Sequence, residues 1–172
     1  PGVHGKSRRR ALSDFGRQLK EKQKIKLTYL LDERNLSRIF SEAKKTAKAA
    51  SGGIGAKFIE LLERRLDNVI YRMGITPSRL MARQLVLQGH IFVNGKRTRS
   101  PGFESKPNDV VSIRKESVSK GPFRDIKEKS KSYEMPAWLA LDAEKLEGRV
   151  VAMPADVEMP FEINLLVESF SK

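Results

Sequence analysis

The fold of this chain is decided by residues 82–97, which read ARQLVLQGHIFVNGKR. Ala82 and Leu85 continue a helical spacing of apolar residues, whereas residues 90–93 are rich in the residue types that favour strands. Asn94-Gly95 follows, and both residues tolerate the positive φ angles of a tight hairpin turn. We therefore expect a helix that ends near Gly89 and leads directly into a β-hairpin.

Further helices are expected before this hairpin. Ser13 or Asp14 can cap a first helix that runs to Leu30. A second helix is predicted over 32–47, and the glycine-rich segment 51–55 predicts a flexible joint after it.

The helices closest to the hairpin are predicted from one apolar stripe and one start signal. Apolar residues recur at helical spacing from Phe58 to Met73 and predict one continuous helix. Thr76-Pro77 predicts the start of the next helix, with Thr76 as its N-cap and Pro77 at its first position.

The remainder of the chain predicts more strands. Residues 110–113, 138–141 and 148–151 are expected to join the hairpin in a small antiparallel sheet. Residues 115–132 are charged and predict a mobile or weakly helical connector, and 163–170 predict a short closing helix or strand. Helices followed by a small sheet make an α+β fold.

The distribution of charge indicates the kind of partner. The formal net charge is +13 over 172 residues. Residues 1–99 hold 23 Lys+Arg against 8 Asp+Glu, a net of +15, whereas residues 100–172 hold 11 against 13, a net of −2. A chain this basic usually faces a polyanion, which we expect to contact residues 1–99.

The same composition disfavours catalysis, metal binding and membranes. Cysteine is absent, His4 and His90 lie far apart, and no glycine-rich phosphate loop or G-x-S-x-G motif occurs. Asp67 is expected to pair with a neighbouring arginine, such as Arg64 or Arg72, rather than to act as a catalytic acid. No stretch approaches the roughly 20 apolar residues of a membrane span, and no signal-peptide pattern occurs. We therefore expect a soluble, cytoplasmic protein that is not an enzyme, with no metal site, no cofactor, no membrane contact and no small-molecule substrate.

The main candidate RNA contacts surround the helix–hairpin unit. Arg79 and Arg83 share one helix face, and guanidinium groups held in fixed relation can bind phosphate oxygens through paired hydrogen bonds. A solvated basic face is the alternative, but the coincidence of several basic clusters with the excess charge favours RNA. The expected contacts are Arg64, Arg65, Arg72, Arg79, Arg83, Gln84, His90, Asn94, Lys96, Arg97 and Arg99.

Two further basic segments lie nearer the start of the chain. The first helix has a basic face that solvent exposure alone explains equally well. Residues 1–12 are expected to form a basic arm that contacts phosphate and becomes ordered on its partner. The helix contributes Arg17, Lys20, Lys22 and Lys24, and the arm contributes Lys6, Arg8, Arg9 and Arg10.

Folded RNA suits this chain better than DNA. No zinc finger, leucine-zipper heptad or convincing helix-turn-helix is evident. Aromatic residues make up 7%, too few for stacking on single-stranded bases to be the main mode of binding. A rigid basic surface with few aromatic residues fits folded RNA that is recognised through the shape of its backbone.

Several segments together resemble one known family. They include RRLDNVIYRMG at 64–74, ARQLV at 82–86, GHIFVNGK at 89–96 and PNDVVSI at 107–113, with PGVHG at 1–5, LSDFG at 12–16 and KLEG at 145–148. Over nearly its whole length the chain resembles bacterial small-subunit ribosomal protein four. The resemblance implies an α+β fold with an N-terminal helical domain and a helix–hairpin RNA-binding module that has a small antiparallel sheet.

The resemblance also implies a function. Members of this family are structural ribosomal proteins that bind small-subunit rRNA as primary binders and nucleate assembly of the subunit body. They contact small-subunit ribosomal protein five and other ribosomal proteins, and they influence translational accuracy. The basic arm would then lie where mRNA enters the subunit. An RNA-modifying enzyme with the same module and a general RNA chaperone are the alternatives.

These observations divide the chain into three expected parts. A basic arm covers 1–12, and a helical domain covers 13–63, with 160–172 as a candidate to complete it. An RNA-binding α+β domain covers 64–159.

Overall fold

Most of the helices precede the sheet along the chain. The computed structural model describes residues 12–47, 52–118, 123, 126, 128, 132–155 and 157–171. The helices are α1 (Asp14–Tyr29), α2 (Glu33–Thr46), α3 (Gly53–Glu63), α4 (Leu66–Arg72), α5 (Arg79–Leu87) and α6 (Ile163–Ser171). The strands are β1 (Ile91–Val93), β2 (Lys96–Arg97), β3 (Val110–Ile113), β4 (Leu139–Asp142) and β5 (Glu147–Val150).

Side-chain caps explain where the first two helices begin. Ser13 accepts a hydrogen bond from the backbone N–H of Gly16 at 3.1 Å, and Asp32 accepts one from that of Asn35 at 2.7 Å. Leu30 ends α1 in the left-handed conformation, with a φ of 54°. Both predicted helices are confirmed, with Ser13 as the cap of α1.

The predicted continuous helix over 58–73 is wrong. An extended Arg65 separates α3 from α4. The first two residues of α4 donate their backbone N–H groups to the carbonyls of Phe103 and Pro101, at 2.9 and 3.1 Å. A loop far along the chain thus replaces the helical hydrogen bonds at this point, while the apolar spacing continues unbroken. Residues 53–55, predicted as part of a flexible joint, are helical.

The helix before the hairpin begins later than predicted. Ser78 is its N-cap and accepts a hydrogen bond from the backbone N–H of Met81 at 3.2 Å. Thr76 instead donates its hydroxyl to the Ser78 carbonyl at 3.1 Å. Pro77 therefore lies before α5 rather than at its first position.

The described strands form one antiparallel sheet in the order β2-β1-β3-β5-β4. Ile91 pairs with Ile113 and Val93 with Val111, so the buried side chains of β1 and β3 lie on the same face. The hairpin turn has φ angles of 51° at Asn94 and 76° at Gly95. The predicted hairpin is confirmed, and so is the prediction that later strands join its sheet.

Buried apolar side chains form two clusters. The first lies between α1, α2, α3 and α6 and includes Phe40, Phe58 and Leu166. The second lies between α4, α5 and one face of the sheet and includes Ile70 and Val86. We propose that the first cluster is the core of a helical domain completed by α6, and that the second is the core of the RNA-binding domain.

The segment after β3 contributes to the second cluster. A short 3₁₀ helix covers Lys115–Ser117, and the helical residues Phe123 and Ile126 are buried in this cluster. At these two positions the segment is helical, as the weakly helical alternative predicted, and the burial of both side chains contradicts the mobile alternative. In the part of the chain that the structure describes, no helix is both long enough and apolar enough to cross a membrane.

Candidate nucleic-acid interface

A guanidinium clamp fixes the hairpin against the end of α5. Arg97 on β2 donates from Nε to the carbonyl of Gly89 at 3.1 Å and from Nη2 to that of Gln88 at 3.3 Å. Gly89 has a φ of +75°, and a Cβ at this position would lie only 2.3 Å from the Arg97 Nε. The absence of a side chain at Gly89 therefore makes room for the clamp. Arg97 was predicted to contact RNA. In the structure, two of its guanidinium N–H groups position the hairpin.

The tip of the hairpin is fastened to the start of β3. Asn94 donates from Nδ2 to the carboxylate of Asp109 at 2.8 Å and accepts a hydrogen bond from the backbone N–H of Val110 at 2.9 Å. These bonds engage the amide that was predicted to contact RNA. They also fix the hairpin turn against the start of β3.

The outward face of α5 and the hairpin carries unpaired polar groups. Gln84, Lys96 and Arg99 are exposed, and their side chains make no hydrogen bond or ion pair with any described residue. Leu80 and Leu87 lie on the same helix face as Gln84 and are 55% and 52% exposed. Exposed, unpaired cations such as Lys96 and Arg99 can bind phosphate oxygens.

Arg83 joins this face to the turn between α1 and α2. Its Nη1 donates to the carbonyl of Leu30 at 3.0 Å and lies 3.7 Å from the carboxylate of Asp67. The side chain is 33% exposed, so part of the guanidinium group stays available to a ligand. Arg83 therefore both positions α5 and borders the outward face.

Three arginines that were predicted to bind RNA point into the protein. Arg64 donates to a backbone carbonyl at 2.9 Å, Arg65 makes two bonds to Asp67 at 3.2 and 3.0 Å, and Arg72 makes two to Glu63 at 2.9 and 3.0 Å. Arg64 and Arg65 are only 7% and 5% exposed. Asp67 pairs with a neighbouring arginine, as predicted, but that arginine is Arg65 rather than Arg64 or Arg72, because an extended Arg65 separates α3 from α4.

Glu63 is the centre of a buried network that connects the two apolar clusters. Its carboxylate accepts hydrogen bonds from the Tyr29 hydroxyl and, at 2.9 Å, from the Asn68 amide, in addition to those from Arg72. Burial and the nearby carboxylate raise the pKa of Tyr29, which therefore remains a hydrogen-bond donor. Burial alone would lower the pKa of Arg72, but its bonds to Glu63 outweigh that effect and raise it.

The role of Glu63 is not predicted from the sequence pattern. The side chain is 0% exposed although it is charged, which composition and spacing do not predict. The sequence signal that could have indicated it is an acidic residue placed directly before two arginines within the apolar stripe.

Arg79 extends the same network between two tyrosine rings. Its guanidinium carbon lies 4.9 Å from the ring centre of Tyr29 and 4.4 Å from that of Tyr71. Its Nε donates to the Asn68 side-chain oxygen at 2.8 Å. Arg79 thus helps to hold α1 against α4 and α5.

The basic face of α1 is largely neutralised within the protein. Of its four predicted contacts, only Lys20 makes no hydrogen bond or ion pair with a described residue. Lys22 also lies 4.6 Å above the Phe170 ring. The ion pairs join Arg17 to Asp14, Lys22 to Glu33 and Lys24 to Glu21. The predicted arm, with Lys6, Arg8, Arg9 and Arg10, lies outside the described residues.

His90 anchors the segment that follows β3. Its Nδ1 lies 2.8 Å from the Ser117 hydroxyl, and its ring meets the Phe123 ring edge-on, with centroids 6.1 Å apart. The residue is half-buried. These are the contacts of a histidine that supports the fold beside the candidate interface. Within the described residues, no group of three His, Asp or Glu side chains is arranged to hold a metal ion.

Comparisons with known proteins cover both parts of the chain. A family model described as the ribosomal protein S4/S9 N-terminal domain matches residues 1–63, and one described as the S4 domain matches residues 64–111. Small ribosomal subunit protein uS4A of Alkaliphilus metalliredigens is 43% identical over 174 residues, which cover 100% of this chain and 81% of the relative.

Other relatives agree. The uS4 proteins of Caldicellulosiruptor saccharolyticus and Herpetosiphon aurantiacus are each 44% identical, over 100% of this chain and over 81% and 82% of their own lengths. The family expected from the sequence is confirmed. The chain belongs to the uS4 family of small ribosomal subunit proteins, which are structural ribosomal proteins and not enzymes.

Proposed function

We propose that this ribosomal protein binds small-subunit rRNA through one preorganised surface. We define the α5–hairpin surface as Leu80, Arg83, Gln84, Lys96 and Arg99. The observation that carries the proposal is that exposed, unpaired cations stand on a hairpin whose orientation is fixed by hydrogen bonds to the end of α5.

The charge state of this surface supports phosphate binding. Lys96 and Arg99 have no acidic partner among the described residues, unlike the paired cations of α1. A rigid surface loses little conformational entropy when it binds, so its cations can be matched to phosphates at fixed spacing.

A salt titration with folded small-subunit rRNA tests the proposal. Each neutralised phosphate adds about 0.7–0.9 to the slope of log affinity against log salt, so we expect a steep decline. A structured RNA of equal length and unrelated sequence is the control and is expected to bind more weakly. A flat salt response contradicts phosphate binding, and equal affinity for both RNAs favours the general RNA chaperone.

The family suggests a primary role in assembly, which we propose for this protein. A primary binder recognises rRNA before other ribosomal proteins are present. We expect the purified protein to bind the naked rRNA and to be required before later proteins join the subunit body. Reconstitution with altered order of addition tests this, and binding that requires other proteins first contradicts it.

We also propose the finer contacts that the family resemblance implies. The basic arm, with Lys6, Arg8, Arg9 and Arg10, is expected to lie where mRNA enters and to influence translational accuracy. The weakly acidic residues 100–172, with a net charge of −2, suit contacts with small-subunit ribosomal protein five. Crosslinking from the arm in assembled subunits tests the mRNA contact. Loss of mRNA crosslinks when the four cations of the arm become alanine supports this contact, and unchanged crosslinks contradict it.

A further inference from the structure

The Asn94-Gly95 turn combines two residue types that can react with each other. The side-chain amide of an asparagine is open to attack by the backbone nitrogen of the next residue, and glycine hinders this attack least because it has no side chain. Of the five asparagines in the chain, only Asn94 is followed by glycine. Leucine, valine or aspartate follows the other four, which are Asn35, Asn68, Asn108 and Asn164. Asn94 is therefore the asparagine whose sequence context most favours deamidation.

Deamidation at this position proceeds through a five-membered ring. The backbone nitrogen of Gly95 loses its proton and forms a bond to Cγ of Asn94, and the side-chain nitrogen leaves as ammonia. Water then opens the cyclic imide at either of its two carbonyl carbons. One product has aspartate at position 94, and the other has isoaspartate, in which the backbone continues through the former side-chain carbon. Water is the only co-reactant.

The surroundings of the turn leave it accessible to this reaction. Asn94 and Gly95 are both exposed, so water reaches them. A Cβ placed on Gly95 would meet no atom of the described residues within 4 Å. Steric shielding by those residues therefore does not protect the turn, and protection has to come from the hydrogen bonds that hold the Asn94 side chain.

Hydrogen bonds hold both polar atoms of the Asn94 side chain. Nδ2 donates to the carboxylate of Asp109 at 2.8 Å, and Oδ1 accepts from the backbone N–H of Val110 at 2.9 Å. The backbone N–H of Asn94 also donates to the Val110 carbonyl, at 2.8 Å. Ring closure requires the side chain to rotate toward the Gly95 nitrogen, and this rotation breaks its bonds to β3. The folded hairpin therefore opposes the reaction.

Asp109 is the strongest of these restraints. Its bond to the Asn94 amide involves a charged acceptor, and such bonds are stronger than those between neutral groups. The second carboxylate oxygen of Asp109 accepts from the backbone N–H of Lys106 at 2.8 Å, and the backbone N–H of Asp109 donates to the Lys106 carbonyl at 3.0 Å. The acceptor is thus held in place by its own turn.

We propose that Asn94 is a deamidation site and that the Asp109 carboxylate keeps the reaction slow in the folded protein. The proposal does not depend on what the hairpin binds. Aspartate at position 94 lacks the N–H donor and places a second negative charge beside Asp109. Isoaspartate adds one carbon to the backbone of the turn. Both products lose the hydrogen bond that fastens the tip of the hairpin to β3.

Rates of deamidation in wild type, D109A and D109N test the proposal. The proteins are incubated in the same mildly alkaline buffer, and peptide mapping by mass spectrometry follows aspartate and isoaspartate at position 94. We expect D109A to react several-fold faster than wild type. D109N retains a side-chain oxygen that can accept the bond, so we expect it to react nearly as slowly as wild type.

The control variant is D142A. Asp142 accepts hydrogen bonds from the backbone N–H groups of Glu144 and Lys145, at 3.0 and 3.1 Å, in the turn between β4 and β5. Its removal loosens another turn of the same sheet, and we expect the rate at Asn94 to stay at the wild-type value. Wild-type chain unfolded in guanidinium chloride gives the unprotected rate without any substitution, and we expect it to be the fastest of all.

Three results would overturn the proposal. Equal rates at Asn94 in the folded and unfolded wild-type chains would show that the fold gives no protection. Equal rates in D109A and wild type, or an equal acceleration in D142A, would remove the role of Asp109. An unfolded chain that deamidates at Asn35 or Asn164 but not at Asn94 would show that this position is not a deamidation site.

Discussion

Gly89 shows how one position controls the geometry of the α5–hairpin surface. A Cβ at Gly89 would lie 2.3 to 2.7 Å from guanidinium atoms of Arg97, whereas one at Gly95 would meet nothing within 4 Å. The two glycines have nearly the same φ, +75° and +76°. Alanine substitutions at these two glycines therefore allow the cost of backbone strain to be distinguished from the cost of displacing the Arg97 side chain.

We expect Gly89→Ala to lower the free energy of unfolding by more than Gly95→Ala. The second substitution carries only the cost of a left-handed residue, about 1–2 kcal/mol. The first adds the displacement of Arg97. Urea denaturation of the two variants measures the difference, and equal losses would contradict the role given to the clamp.

Glu63 provides the second prediction at this scale. Glu63→Ala leaves the half-buried Arg72 and the Tyr29 hydroxyl without their acceptor, so we expect a loss of about 3–5 kcal/mol of stability. Glu42→Ala is the control, because Glu42 is half-buried on α2 and its side chain has no ion pair within the described residues. Similar losses for the two variants in chemical denaturation would contradict the importance of the network.

The roles of individual basic residues were the least predictable part of the site. A lysine or arginine indicates possible phosphate binding, and the structure leaves Lys96 and Arg99 exposed. In the sequence, Arg65 and Arg72 could not be distinguished from these two residues. Each meets an acid only because α3 and α4 are separate helices, and that arrangement depends on a distant loop.

At the scale of secondary-structure elements, α1 and α2 are joined by ion pairs across their turn. Glu33 at the start of α2 pairs with Lys22 and Lys26 of α1. The hydrogen bond from Lys22 is the main reason why the pKa of Glu33 lies below its ordinary value of 4.5. The folded state therefore favours the charged carboxylate.

This shift predicts a pH dependence of stability. The contribution of Glu33 is present above about pH 4.5 and is lost as the pH falls through the lower pKa of the folded state. We expect wild-type protein to exceed Glu33→Gln in stability at neutral pH by less than about 1 kcal/mol, since Glu33 is 52% exposed. Denaturation curves at several pH values check whether the difference shrinks in acid, and a difference that grows there contradicts the assignment.

Elements defined by local signals were predictable, and those defined by distant contacts were not. The hairpin followed from Asn94-Gly95, because the conformation of its turn depends on those two residues. The end of α3 could not be predicted, since the carbonyls that interrupt the helix belong to Pro101 and Phe103. Ser78 became the cap of α5 although Thr76-Pro77 carried the stronger local signal.

At the scale of the whole molecule, the buried network around Glu63 joins the helices of the first apolar cluster to those of the second. Glu63 accepts hydrogen bonds from Tyr29 on α1 and from Asn68 and Arg72 on α4. The helical part and the sheet part are thereby connected by side chains as well as by the backbone.

The central claim is that rRNA binds the α5–hairpin surface, and its most direct test is the salt dependence of K96A/R99A. These side chains are exposed and unpaired within the described residues, so their removal tests RNA binding rather than folding. Arg83 is less suitable, because it also bonds to Leu30. Relative to wild type, we predict a salt slope lower by about 1.4–1.8 for K96A/R99A and little change for K145A/R149A. Equal slopes for the two double variants would contradict the claim.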